Sequence, residues 1–88
     1  MSTLAAGRIT KTLGVCGGRA CVAGHRVRVL DIVAWSEHQG MTPDEIVSHV
    51  PSLTLADVHA ALAYYFDRID EIQEEIRKVV EKALNEKR

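Results

Sequence analysis

The residues best suited to chemistry in this chain are two cysteines and a histidine near its start. Cys16, Cys21 and His25 follow the spacing C-x4-C-x3-H, which offers three ligands, and no second pair of cysteines is present. A structural zinc ion is normally held by four ligands. We therefore expect no metal and no other cofactor, and we predict two small, semi-buried thiols. A reversible disulfide across the turn between the two cysteines is the alternative.

The remaining histidines do not form a catalytic pattern. His38, His49 and His59 fall on separate predicted helices, and no serine or cysteine lies in the local sequence that activates a nucleophile. The pair at 17–18 lacks the Lys-Ser or Lys-Thr of a phosphate-binding loop. We predict that the protein is not an enzyme.

Charge is distributed unevenly along the chain. The 88 residues carry 11 basic and 12 acidic side chains, a net charge of -1. All charged residues within 1–30 are basic, whereas all those within 31–66 are acidic. Because contacts to phosphate supply much of the affinity for nucleic acid, promoter DNA would bind the first segment. The candidate DNA-binding residues are Arg8, Lys11, Arg19, Arg26 and Arg28. Pairing of these arginines with acids of the middle segment is the alternative.

The glycine-rich first segment predicts short strands separated by turns, at residues 8–10, 20–22 and 26–30. If residues 26–29 are extended, Arg26 and Arg28 share one face of a strand. Two such arginines, doubled by a dimer, are typical of proteins that read DNA with a β-ribbon.

Three helices are predicted after the strands. Asp31 is placed to cap the first, which we expect to run to about His38 before Gly40. The second follows a capping box, and Pro51 ends it. A second capping box starts the third helix near Leu55. The two boxes pair Thr42 with Glu45 and Thr54 with Asp57.

The third helix is predicted to be long, because no glycine or proline follows Pro51. Its apolar residues alternate steps of four and three, an a/d pattern that continues beyond residue 66. A domain this small has little surface left to cover them, so we predict a strand and helix-turn-helix domain at 1–66 and a partner-binding helical extension at 67–88. The predicted partner-binding residues are Ile69, Ile72, Ile76, Val79, Val80 and Leu84.

Three segments resemble, in order and spacing, the bacterial and archaeal domain of unknown function 433 family. They are GGRACVAGHRV (17–27), GMTPDEIV (40–47) and PSLTLADVHAALAYY (51–65). The resemblance implies a mainly α fold, a homeodomain-like helix-turn-helix preceded by short strands. Two positions depart from the family pattern, which usually has threonine at His25 and proline at Ala20.

The resemblance also implies a function. Members are often antitoxins similar to the VapB-type partners of PIN-like ribonuclease toxins, and such antitoxins commonly form dimers that bind their own promoter. However, the third helix carries Asp57 and has no Lys or Arg before Arg68, so it does not resemble a cationic recognition helix. The alternatives are a stand-alone DNA-binding regulator and a homo-oligomeric interaction module. With no secretion signal or apolar span in the sequence, we expect a cytoplasmic protein without membrane contact.

Overall fold

The computed structural model describes residues 3–4, 7–12 and 18–86. A small antiparallel sheet precedes the helices, and its strands β1 (Thr3–Leu4), β2 (Ile9–Thr10) and β3 (Cys21–Val22) lie side by side in that order. The predicted strands at 8–10 and 20–22 are confirmed, with Ile9 opposite Val22 in the register. The predicted strand at 26–30 is wrong: only a single bridge joins Arg28 to Cys21, because a helix starts at the next residue.

Helices make up most of the described chain, as predicted. The first continues into a π-helical turn, and a break separates the last two. Their bounds are α1 (Val29–Val33) with the π-helical turn Ala34–His38, α2 (Pro43–His49), α3 (Leu55–Asp67) and α4 (Ile69–Glu86). None of the helices formed by the described residues combines the length and the apolar character that a membrane crossing requires.

The start of α1 differs from the prediction. Asp31 is not the cap but the third helical residue, and Arg28 is the N-cap. The Asp31 carboxylate accepts a hydrogen bond of 3.0 Å from the backbone N–H of Arg28, so it satisfies the helix start from inside the first turn. The end agrees better with the prediction, since Gly40 adopts φ +69°, a left-handed conformation that glycine adopts without strain.

Both predicted capping boxes are confirmed. Glu45 accepts from the Thr42 N–H at 2.8 Å, while the Thr42 hydroxyl accepts from the Glu45 N–H at 3.2 Å. The same reciprocal pair joins Thr54 and Asp57 at 3.0 and 3.1 Å. The turn between α2 and α3 is thus followed by a helix start that local sequence specifies.

The single long third helix is the main error of the sequence prediction. Arg68 leaves the helical conformation, at φ -138° and ψ 50°, and its N–H bonds the carbonyl of Tyr65. Its guanidinium lies 4.4 Å from the centre of the Tyr64 ring. The break redirects α4, so that Ile72 becomes fully buried. Burying an isoleucine contributes about 1.5–3 kcal/mol, which exceeds the ~1 kcal/mol of a lost helical hydrogen bond.

One hydrophobic core connects the helices with β2 and β3. It lies between β2, β3, α1, α2, α3 and the first turns of α4, and α1 packs on both α3 and α4. The start of α4 therefore shares the core of the first 66 residues. Fully buried side chains in this core include Ile9, Val22, Val29, Ile32, Ile46, Val58, Ala61 and Ile72.

Candidate functional site

The predicted partner-binding residues all lie in α4, and the way this helix packs after the break at Arg68 divides them into two groups. Ile72 lies in the core, and Ile76 and Val79 are half-buried and pack against it. Ile72 is therefore not available as an outward-facing anchor, because α4 folds back onto its own domain, whereas contact of half-buried Ile76 and Val79 with a partner stays a prediction. The other three residues, Ile69, Val80 and Leu84, stay exposed.

The exposed apolar residues form what we call the apolar face of α4. It consists of Ile69, Val80 and Leu84, together with Phe66 from the last turn of α3. Residues spaced by multiples of three and four lie on one side of a helix, so Ile69, Val80 and Leu84 align. Their exposed fractions are 39, 51 and 62 %, and that of Phe66 is 56 %. Where exposed apolar side chains are contiguous, they often mark an interaction surface.

A shallow hollow of about 230 Å³ lies on the surface of α4 around Ile76. Ile76 forms its apolar part, and His38 reaches it from the π-helical turn. Gln73 and Arg77 complete the lining. Half-buried Ile76 therefore links the core to the exposed surface.

A polar cluster fixes the orientation of α4. The Glu71 carboxylate accepts from the Lys11 ammonium at 3.0 Å and from the Tyr64 hydroxyl at 3.2 Å. The hydrogen bond to Glu71 raises the pKa of Lys11. Burial, with the nearby Glu71 charge, raises the pKa of Tyr64. A further hydrogen bond, from the Gln73 amide to the Tyr65 hydroxyl, strengthens the contact between α3 and α4.

Several of the predicted DNA-binding residues form ion pairs within the chain. Arg8 lies 3.1 Å from the Asp57 carboxylate at the start of α3, and Lys11 pairs with Glu71. Burial raises the pKa of Asp57, but hydrogen bonds from Thr54 and the Arg8 guanidinium outweigh it and leave that pKa lowered. These two cations therefore link the N-terminal segment to α3 and α4, and their contact with DNA stays a prediction.

Arg26 and Arg28 do not share the face of a strand. Arg26 is exposed, whereas Arg28 caps α1 and its guanidinium forms two hydrogen bonds with Asp31, at 3.0 and 2.8 Å. The β-ribbon arrangement is therefore wrong, and the alternative of internal pairing is confirmed for Arg28.

Arg28 instead lines a second surface with Arg19, which we call the cationic groove. Two lysines from α4 face these arginines across a hollow of about 300 Å³. The sequence prediction missed the lysines, because only the fold brings them to the arginines. The groove is lined by Arg19, Arg28, Lys78 and Lys82, with Val79, Ala83 and Glu86.

Glu75 lies close to the cationic groove. Burial raises the pKa of Glu75, the neighbouring Glu71 raises it further, and Arg19 and Arg28 act in the opposite direction. Its Oε1 atom is buried and has no hydrogen-bond partner among the described residues. An unsatisfied buried acceptor costs free energy, so ionised Glu75 is a destabilising element beside the groove.

Cys21 and His25 form hydrogen bonds to backbone carbonyl groups. The buried Cys21 thiol donates to the His25 carbonyl at 3.1 Å, and the two ring nitrogens of His25 lie 3.0 and 3.1 Å from the carbonyls of Ala23 and Ser52. His25 thus joins the turn after β3 to the loop before α3. Cys16 lies outside the described residues, so the expectation of two semi-buried thiols without a metal, and the alternative of a disulfide, stay untested.

The fold and its caps define a class, a small helix-turn-helix-type domain with a strand preamble. The family described as "Protein of unknown function (DUF433)" matches residues 9–65, and the chain belongs to that family. A solved structure of a DUF433 member from Anabaena variabilis ATCC 29413 is 37 % identical, with a TM-score of 0.74. The similarity covers 80 % of this chain and 68 % of that one. Among curated proteins, none matches this chain.

Proposed function

We propose that this protein is the antitoxin of a type II toxin-antitoxin pair and neutralises a PIN-like ribonuclease through the apolar face of α4. Membership of the DUF433 family, together with the resemblance to VapB-type antitoxins, supports the class of partner. The apolar face supports the location. Residues in the core, Ile72 above all, hold α4 in place and do not contact the ribonuclease.

The observation that carries the proposal is the exposure of Val80 and Leu84, 51 and 62 % respectively, one turn apart on α4. Apart from Ile69 and Ala83, the other exposed residues of this helix are polar. Helix-in-groove partners bind such anchors at spacings of three and four residues. The ion pairs of Arg77 with Glu74 and Glu81 lie on the adjacent polar side of α4 and favour helix formation there before the partner binds.

The test is co-expression with a PIN-like ribonuclease encoded beside this chain, with the tag on the ribonuclease. Wild-type protein should co-purify and restore growth. Leu84→Asp should do neither, because it places a charge in the apolar contact. Asn85→Asp is the matched control, since it adds the same charge at the neighbouring exposed position and should behave as wild type.

Two results would contradict the proposal. One is undiminished co-purification of Leu84→Asp, and the other is failure of the wild-type chain to bind the ribonuclease. If light scattering instead shows a dimer that Leu84→Asp separates into monomers, the apolar face serves self-association, and the homo-oligomeric module is the better account.

A further inference from the structure

The core-facing side of α4 separates two surfaces, the apolar face on one flank and the cationic groove on the other. Three separate parts of the fold form the cationic groove. Lys78 and Lys82 stand one turn apart on α4, Arg19 precedes β3, and Arg28 caps α1. Nothing in the proposed contact with a ribonuclease uses these four cations.

The charges of the groove are unbalanced. Its lining holds four cations and one acid, Glu86. Neither Lys78 nor Lys82 forms an ion pair with a described residue, and the same holds for Arg19. Asp31 pairs with Arg28, and Glu75 lies beside both arginines, but burial raises the pKa of Glu75. Like charges gathered in this way repel one another, and an anionic ligand relieves that repulsion.

The groove is also partly organised in advance. The two hydrogen bonds and ion pair with Asp31 fix the Arg28 guanidinium, so little side-chain entropy is lost when that residue binds. Arginine presents its donors in a planar fork that suits phosphate oxygens, but at Arg28 the Asp31 carboxylate already takes the Nε–Nη2 edge of that fork. Val79 and Ala83 supply an apolar floor between the lysines.

We propose that the cationic groove binds a phosphate group, with Arg19 and Arg28 on one side of it and Lys78 and Lys82 on the other. Val79 and Ala83 contact the apolar part of the ligand that bears the phosphate. Two sources share this chemistry: a small phosphorylated molecule and the backbone of a nucleic acid.

The experiment follows backbone amide signals of the full-length, nitrogen-15-labelled chain by NMR. The probes are inorganic phosphate, a nucleoside monophosphate and a short DNA duplex, each added at constant ionic strength against chloride. We expect saturable shifts confined to residues 18–20, 28 and 78–83. Shifts with the two small probes identify a small-molecule site, and shifts with the duplex alone identify the nucleic-acid backbone.

Lys82→Gln and Arg77→Gln provide a matched pair, because each removes one positive charge from an exposed position of α4, inside and outside the groove respectively. Lys82→Gln should weaken binding about tenfold, the loss expected for one charge-assisted hydrogen bond. Arg77→Gln should change it less than about twofold. Circular dichroism confirms that both variants keep their helix content.

Three results would overturn the proposal. The first is a set of shifts that is scattered over the surface and does not saturate. The second is an equal loss of binding in the two variants, which would show that only net charge matters. The third is occupation of the groove by a glutamate-rich peptide when none of the phosphate probes binds.

Discussion

Ile72→Ala should destabilise the protein strongly, because Ile72 carries α4 into the core. The side chain is 0 % exposed and belongs to the single hydrophobic core. Truncating a buried isoleucine to alanine costs about 2–5 kcal/mol of unfolding free energy. The upper end of that range applies where the cavity cannot collapse. A loss of about 3 kcal/mol in a domain of this size lowers the melting temperature by ~12–24 °C.

Thermal unfolding followed by circular dichroism measures the effect, and Ile69→Ala provides the control. Ile69 is the same residue type on the same helix but is 39 % exposed, so its truncation should cost less than about 1 kcal/mol. If both variants melt within a few degrees of wild type, or if Ile69→Ala is the more damaging, then α4 does not pack as the structure shows.

Three further predictions concern single residues. Glu75→Gln should stabilise the protein at neutral pH. Because the folded pKa of Glu75 is raised, the wild type loses stability as the pH rises through that value, and the stabilities of the two chains should converge below pH 4.5. A difference in the free energy of urea unfolding that stays constant with pH would contradict this. Asp57→Asn should cost about 1 kcal/mol through the weakened capping box. Since the folded pKa of Asp57 is lowered, this contribution is present above pH 3.8 and is lost as pH falls through the folded value, so acid unfolding that is equally steep in both chains would argue against it. Gly40→Ala should cost about 1 kcal/mol because Gly40 has a φ of +69°, although nothing lies within 4 Å of an added Cβ. Gly40→Asn should cost less. An unchanged melting temperature for Gly40→Ala would show that the turn relaxes.

Elements governed by local rules could be predicted from the sequence. The capping boxes at Thr42 and Thr54 depend on residues three positions apart, and the structure contains both. The left-handed turn at Gly40 also follows from a local preference. Such features require no knowledge of what packs against the helix.

The break at Arg68 could not be predicted in this way. No glycine or proline marks it, and the a/d pattern continues through it unchanged. Apolar periodicity shows that a helix has a buried side, but it does not distinguish the chain's own core from a partner. The packing of Ile72 in the core turns α4 toward its own domain. The predicted partner-binding residues are therefore split between the core and the exposed apolar face.

The cationic groove was beyond sequence reasoning for the same reason. Arg19 and Arg28 were candidates for anion contacts, but Lys78 and Lys82 belong to a segment of mixed charge far along the chain. The return of α4 across the domain brings the two pairs together. The charge distribution along the sequence therefore identified the two arginines of the groove but not its two lysines.

In the complex that we propose, the ribonuclease binds the apolar face and leaves the core-facing side of α4 undisturbed. The most direct test of this arrangement is calorimetric titration of the purified ribonuclease with wild-type protein and with the double variant Val80→Ala, Leu84→Ala. Loss of two buried side chains should weaken binding by about 3 kcal/mol or more, at least ~100-fold, with the melting temperature of the free protein almost unchanged. A dissociation constant within about threefold of the wild-type value would contradict the claim.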